Sequence, residues 1–298
     1  MPSDHETDRL KEHSEPIAPG LYLVATPIGN LEDITLRALR ILRSVDRIAC
    51  EDTRQTQKLL NHFGITTPTV SYHMHNEGQR SEELVESLKQ GGRIAVVSDA
   101  GTPGIADPGS QIAAAAIASG IPVFPIPGAN AAISGLIASG LSTERFTFHG
   151  FLPSKAGQRK TFLEEIPRTG GTTHIFYETP HRILEALADI EAVFGPAQPV
   201  VIARELTKLH EEFLRAPVSE LHAELTARPV IRGEIVLMLT PAEQQSTTPS
   251  TSIAEAVSAL MKSENLTEKD ALKRVARDRG IGKSEAYREL QREQNRLR

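Results

Sequence analysis

The chain has no tryptophan, 4% aromatic residues and a single cysteine, Cys50, among its 298 residues. One cysteine excludes an intramolecular disulfide and argues against a cysteine-rich zinc site. Long apolar runs are missing too. The longest, residues 112–126, is broken by Ser119, Gly120, Pro122 and Pro125 and provides no membrane span. The first nineteen residues are charged from the start and lack the apolar core of a signal peptide. They predict a disordered tail and a cytoplasmic protein with no membrane association. Neither G-x-G-x-x-G nor a Walker A sequence occurs, which disfavours the common dinucleotide and P-loop sites.

A composition of 39% hydrophobic and 24% charged residues at this length supports a substantial core and two or three domains. The net charge of −5 hides an asymmetry, because residues 262–298 hold eleven Lys/Arg against seven Asp/Glu. The body is therefore strongly acidic and the tail basic. A basic tail suits contact with a polyanion, and a solvated pair of charged helices would have the same composition.

Between residues 20 and 142, short apolar runs at 21–25, 47–50, 69–72, 94–97 and 122–125 alternate with helical periodicity. The helical stretches are 31–45, 55–62, 81–90, 111–119 and 130–139. This pattern predicts an α/β domain with a mostly parallel sheet, whose ligands sit beyond the C-terminal strand ends. A smaller α/β domain is expected over 143–242, with strands at 173–177, 199–203 and 234–239 and helices at 182–194 and 218–227. A polar linker, 243–252, leads to a C-terminal all-helical unit over 253–298, with helices at 253–262, 267–279 and 284–296. Its Gly280–Lys283 turn has the look of a helix-turn-helix.

The most informative segment is Ser98–Gly109, SDAGTPGIADPG, where a strand runs into a rigid, acidic loop. Its glycines expose backbone amides and Asp99 offers an acceptor to a ligand amine or hydroxyl. An elaborate structural turn is the plainer reading. In Thr26–Asn30, Pro27 cannot continue a ladder and Gly29 permits a ligand to approach, or the pair simply makes a tight strand-to-helix turn. Glu51, Asp52, Thr53 and Arg54 follow the second strand, and helix capping by Asp52 or Thr53 competes there with a functional role. His73 to Glu77 places two imidazoles and a carboxylate in a loop; the spacing is weak for a metal and better suited to recognition or general-base work. Lys155, Arg159 and Lys160 form a basic cluster that would grip phosphate or merely face water. The segment Tyr177–Arg182 reads equally as a helix start or a site.

In this order, these segments resemble the tetrapyrrole-methylase-like family of S-adenosylmethionine-dependent enzymes, in its branch that modifies ribosomal RNA. The similarity is carried by LYLVATPIGNLEDITLRAL at 21–39, EDTR at 51–54, the Ser98–Gly109 loop, PGANA at 127–131 and FHGFLP at 148–153. YETPHR at 177–182, ARELTK at 203–208 and Gly233-Glu234 extend it. It implies a two-domain tetrapyrrole methylase-like fold with the cofactor cleft between the domains, and a homodimer. It also implies 2′-O-methylation of a cytidine ribose in the decoding region of 16S rRNA, as naked RNA or in the small ribosomal subunit. By motif position Pro27, Ser98, Asp99, Thr102, Asn130, Ala131, Tyr177 and Arg204 would lie near S-adenosylmethionine, with Gly29 beside Pro27. Methylating a ribose hydroxyl needs a base, or a cation to hold the developing alkoxide, expected among Glu51, Asp52, Arg54, His75 and Glu77. No metal is expected. Tetrapyrrole C-methylation and a non-catalytic nucleic-acid-binding regulator are the competing functions.

Overall fold

The computed structural model describes residues 17–73, 76–167, 170–242, 252–264, 266–279 and 282–296. By its internal contacts the chain divides into Met1–Ala242 and Glu243–Arg298. The first unit begins with the expected alternation. Strands β1 (Gly20–Val24), β2 (Arg47–Cys50), β3 (Thr69–Ser71), β4 (Arg93–Val97) and β5 (Val123–Ile126) are separated by helices α1 (Leu36–Ser44), α2 (Thr53–His62), α3 (Glu77–Lys89) and α4 (Ser110–Ala118). Helix α5 (Ala131–Ser139) follows. All strand pairs are parallel, in the order β3-β2-β4-β1-β5.

Side-chain alternation along these strands builds two cores. Tyr22, Val24, Ile48 and Ala95 pack under α1 and α2, while Leu21, Ala49, Ile94 and Val96 pack under α3 and α4. The single helix expected over 31–45 is divided. Asn30 caps a 3-10 turn at Leu31–Asp33, and the Thr35 hydroxyl then accepts from the Ala38 amide at 3.0 Å to start α1. Helix α3 begins at Glu77 rather than Ser81, so Glu77 is a first-turn residue and not part of a loop. Ile17, inside the expected tail, is buried in the α1–α2 core, and Ala18 accepts from the Tyr22 hydroxyl at 2.6 Å.

The second half supplies β6 (Phe146–Phe151), α6 (Ala156–Glu165), β7 (Thr173–Glu178), α7 (Ile183–Phe194), β8 (Pro199–Arg204), β9 (Glu212–Pro217), α8 (Val218–Ala227) and β10 (Ile235–Leu239). Their sheet runs β6-β7-β10-β8-β9 and is mixed, with only β6–β7 parallel. Strands β6 and β9 and helix α6 were not expected from the sequence. One face of the sheet packs on α6, α7 and α8. The other, through Ile175, Val201, Val236 and Met238, packs on Ala132 and Leu136 of α5. Close approach there needs Gly135, where a Cβ would stand 3.3 Å from Val236. Helix α5 thus joins the two sheets.

Arg159 corrects the picture of a basic cluster. Its side chain is 1% exposed and meets Asp189 at 2.7 Å and Glu185 at 3.1 Å, so it ties α6 to α7 and does not face an external phosphate. Within Glu243–Arg298, α9 (Ile253–Glu264), α10 (Glu268–Asp278) and α11 (Lys283–Arg296) share a core of Val257, Leu272, Val275 and Leu290. Glu293 accepts from the Ala254 amide at 2.8 Å, satisfying the free N-terminus of α9. The linker residues 243–251 and the turn residues 280–281 lie outside the described residues.

Candidate functional site

Strand order fixes where a ligand site can form. Neighbours β1 and β4 lead to connections that leave in opposite directions, since β2 lies beyond β4 and β5 beyond β1. Their C-terminal ends open a crevice of the kind that receives ligands in open α/β sheets. The two exit loops are stitched together, Thr26 N–H donating to Gly101 O at 2.8 Å and Gly101 N–H to Thr26 O at 3.1 Å. Ser98 is buried behind this seam, and its hydroxyl donates to the Gly101 carbonyl at 3.2 Å.

The loop then follows a path open only to unusual backbone. Gly109 has φ +139°, and a Cβ there would stand 3.0 Å from Gly104 N. Ala106 holds φ +62°, a left-handed conformation that costs a non-glycine residue about 1–3 kcal/mol. Beneath the loop the buried Glu77 carboxylate accepts from the Tyr72 hydroxyl at 2.8 Å and the Gly109 amide at 3.2 Å. Glu77 thus holds the loop from behind.

In front of the loop lies a cavity of about 600 Å³, closed on its far side by the ends of β7, β8 and β10. This size is that of a small-molecule or cofactor site. Glu51, Asp99, Thr102, Asn130, Ala131 and Tyr177 border it. Asn130 caps α5 and also donates to the Thr102 hydroxyl at 3.2 Å, and Thr102 in turn donates to Ala129 O at 3.1 Å. Tyr177 meets Phe148 edge-on at 4.8 Å and Phe151 at 5.8 Å, forming an aromatic wall.

Other expected site residues stand elsewhere. Asp52 caps α2 through Arg54 N–H at 2.9 Å and pairs with the Arg54 guanidinium at 2.8 Å, which holds its carboxyl well below the usual range. The Arg54 side chain is otherwise in solvent. Arg204 meets Glu212 at 3.0 Å and donates to the Arg232 carbonyl. Pro27, Gly29 and Ser98 are not among the residues that line the cavity. A Cβ on Gly29 would collide with Lys208 Cγ, so this glycine makes room for the Lys208 stem rather than for a ligand. His75 lies outside the described residues.

The wall also holds groups to which the sequence assigned no site role. Asp107, Glu178, Glu205, Lys208 and Glu234 all border the cavity. Together with Glu51 and Asp99 this makes six carboxylates against one ammonium. Burial, then the negative charges of Glu51 and Asp99, push the Asp107 carboxyl up to about 6. Burial followed by Asp99 raises Glu51 as well, and burial raises Glu178 despite the nearby Arg182. Glu205 and Thr207 have φ of +52° and +68°, a second strained segment on the opposite wall. Positive φ at three non-glycine residues leaves no signature in the sequence. Among the described residues no cluster of three or more His, Cys, Asp or Glu could hold a metal, and no helix is long and apolar enough to cross a membrane.

The family model for tetrapyrrole (corrin/porphyrin) methylases matches residues 20–222. The chain is 48% identical over 272 residues to a ribosomal RNA small subunit methyltransferase I of Halalkalibacterium halodurans, covering 90% of this chain and 93% of that one. It is 43% identical to the protein so named in Bacillus subtilis, over 90% and 92% of the two chains. Among solved structures, uroporphyrin-III-C-methyltransferase from Thermus thermophilus superposes with a TM-score of 0.53 at 18% identity, over 74% of this chain and 94% of that one. That last likeness is one of fold.

Proposed function

Because the chain belongs to the tetrapyrrole methylase family, we propose that its cavity binds S-adenosylmethionine and that it methylates a ribose 2′-hydroxyl of a cytidine in the decoding region of 16S rRNA. The observation that carries the reading is a strongly acidic cavity at the switch point of a parallel sheet, in a chain that is nearly half identical to a named rRNA methyltransferase.

The residues present fit this cofactor. S-adenosylmethionine supplies a methyl group already activated on a cationic sulfonium, and its ammonium is a second cation. Of the six lining carboxylates, Glu205 and Glu234 face Lys208 and Glu178 faces Arg182, which leaves Glu51, Asp99 and Asp107 to suit both charges. The Phe151–Tyr177 wall offers a face to an adenine ring. Asn130 and Thr102 supply fixed polar groups on the other side. Pro27, Gly29, Ser98 and Arg204 contribute by shaping the wall, Gly29 through Lys208 and Ser98 through the Gly101 seam.

The protein's remaining task is to position the hydroxyl, exclude water and accept one proton. Asp107 and Glu51 border the cavity, and burial with neighbouring negative charge raises both carboxyls, Asp107 to about 6, where it is basic enough to accept that proton. Asp107 has the larger shift and takes the role of base. Asp52, Arg54 and Glu77 support the site: Asp52 donates its amide to Asp99 at 3.0 Å, and Glu77 braces Gly109.

Cofactor binding is read by thermal shift. Saturation at about one hundred times Kd adds about 2.7 kcal/mol to folding stability, so a melting temperature that stays fixed across an S-adenosylmethionine titration would falsify the reading. The basic segment 262–298 gives the RNA part its own test. Deleting 253–298 is expected to weaken rRNA binding and flatten its salt dependence; unchanged binding would remove the tail from the RNA interface. Cytoplasmic residence and a homodimer complete the proposal. Ile137 and Ile133 of α5, 72% and 42% exposed, give such a dimer an apolar surface to bury, and sedimentation velocity measures it.

A further inference from the structure

A cavity lined by six carboxylates attracts a sulfonium but repels a nucleic-acid strand. Lys208 is the one basic residue bordering it among the described residues. Its position is strongly determined. The stem crosses the Gly29 turn, and the ammonium meets Glu205 Oε1 at 2.7 Å and Glu234 Oε2 at 3.0 Å. The two acids differ in kind. Glu205 is 20% exposed, sits at φ +52° and fits only because residue 233 is glycine, where a Cβ would collide with Glu205 Cδ. Glu234 has a side chain 74% exposed, so it marks the side of the ammonium that opens to solvent.

We propose that Lys208 is the seat for a backbone phosphate of the RNA strand next to the target ribose, and that the Glu234 carboxylate occupies this seat until the strand arrives. The inference rests on the RNA reading above and adds a recognition subsite to it. Glu205, held from the inner side, keeps the ammonium charged and in place. Glu234, an exposed partner, is held weakly, since solvent-exposed ion pairs contribute little. Exchange replaces one charge-assisted contact with another and carries the Glu234 charge away from the incoming strand. An ammonium also has a third donor for a second phosphate oxygen. The cofactor carboxylate is the other source of an oxyanion here. The exposure of Glu234 favours the strand, which comes from solvent.

The test uses the full chain, a transcript of the 16S decoding region and unmethylated small ribosomal subunits, with affinity measured across a salt series. Lys208→Met is expected to weaken RNA binding about tenfold and to lower the slope of log Kd against log salt by about 0.7, the value for one phosphate on a single strand. Cofactor affinity, measured by calorimetry, is held or raised, since the variant removes the one ammonium from a cavity that takes a cationic ligand. Lys208→Arg retains the slope, which separates lost charge from lost structure. Glu234→Gln tightens RNA binding. Three results would each overturn the proposal: an unaltered slope in Lys208→Met, weaker RNA binding in Glu234→Gln, or a loss confined to cofactor affinity, which assigns the seat to the cofactor carboxylate. Should the unaltered protein neither bind nor methylate the RNA, the RNA reading itself falls and the seat with it.

Discussion

Replacing Asp107 by asparagine is expected to slow single-turnover methylation by about 10²–10⁴-fold while leaving the protein as stable as before or more so. The two expectations have one cause. Burial, then Glu51 and Asp99, lift the Asp107 carboxyl to about 6. At that value it is ionised at a pH of about 7.5 and still basic enough to take a proton from a hydroxyl as the methyl is transferred. The rate of the unaltered enzyme is expected to climb with pH, level off above about 6, and lose this limb in the variant. For stability the sign runs the other way. A carboxyl raised in the folded state stabilises the fold fully below its unfolded value of 3.8, and that contribution is lost as pH rises through about 6. The asparagine side chain carries no charge to bury at a pH of about 8, so the melting temperature there is equal or higher. A variant with both rate and stability reduced would make Asp107 structural. An unchanged rate would pass the proton to Glu51, and Glu51→Gln, measured in the same assay, tests that directly.

Much of this site is legible in the sequence because strand ends and glycine-rich loops leave strong local signals. Ser98–Gly109 stands out there as a candidate ligand loop, and its Asp99 and Thr102 border one cavity with Asn130 and Tyr177. What stays hidden depends on contacts distant in sequence. Asp52 and Glu77 have the chemistry of catalytic acids. The fold employs one as a helix cap and the other as a brace beneath Gly109, 32 residues away. Gly29 resembles a ligand-approach glycine, yet its missing side chain serves Lys208 from the other half of the unit. Asp107 is visible as a carboxylate in the loop. Its shift arises from burial and from Glu51 and Asp99, brought near it only when β2 and β4 pair. Strands β6 and β9 escape notice for a different reason: both are edge strands with little burial, so neither carries a continuous apolar run.

The basic cluster at 155–160 shows how far burial changes the meaning of a residue, and it leads to the second large effect. Arg159→Ala is expected to destabilise the protein by about 3–5 kcal/mol, lowering the melting temperature by roughly 10 °C in a unit of this size. The guanidinium is 1% exposed. It donates to Asp189 at 2.7 Å, to Glu185 at 3.1 Å and to the carbonyls of Ser154 and Pro153 at 3.3 and 3.4 Å, so one side chain fastens α6, α7 and the turn before α6. Alanine removes all of these and leaves the Asp189 carboxylate, 9% exposed, with only the Lys160 ammonium at 3.4 Å. The cost is mainly that of a buried charge left without its partner, which a second substitution can separate. Arg159→Met with Asp189→Leu removes both charges and keeps apolar volume, and it is expected to recover most of the loss. A phosphate-gripping Arg159 would behave differently, since its removal would weaken rRNA binding without lowering the melting temperature. Denaturation and RNA affinity, both measured well below the variant's melting point, distinguish the two roles. A loss under about 1 kcal/mol, the scale of an exposed pair, would mean that Lys160 and entering water suffice to compensate Asp189.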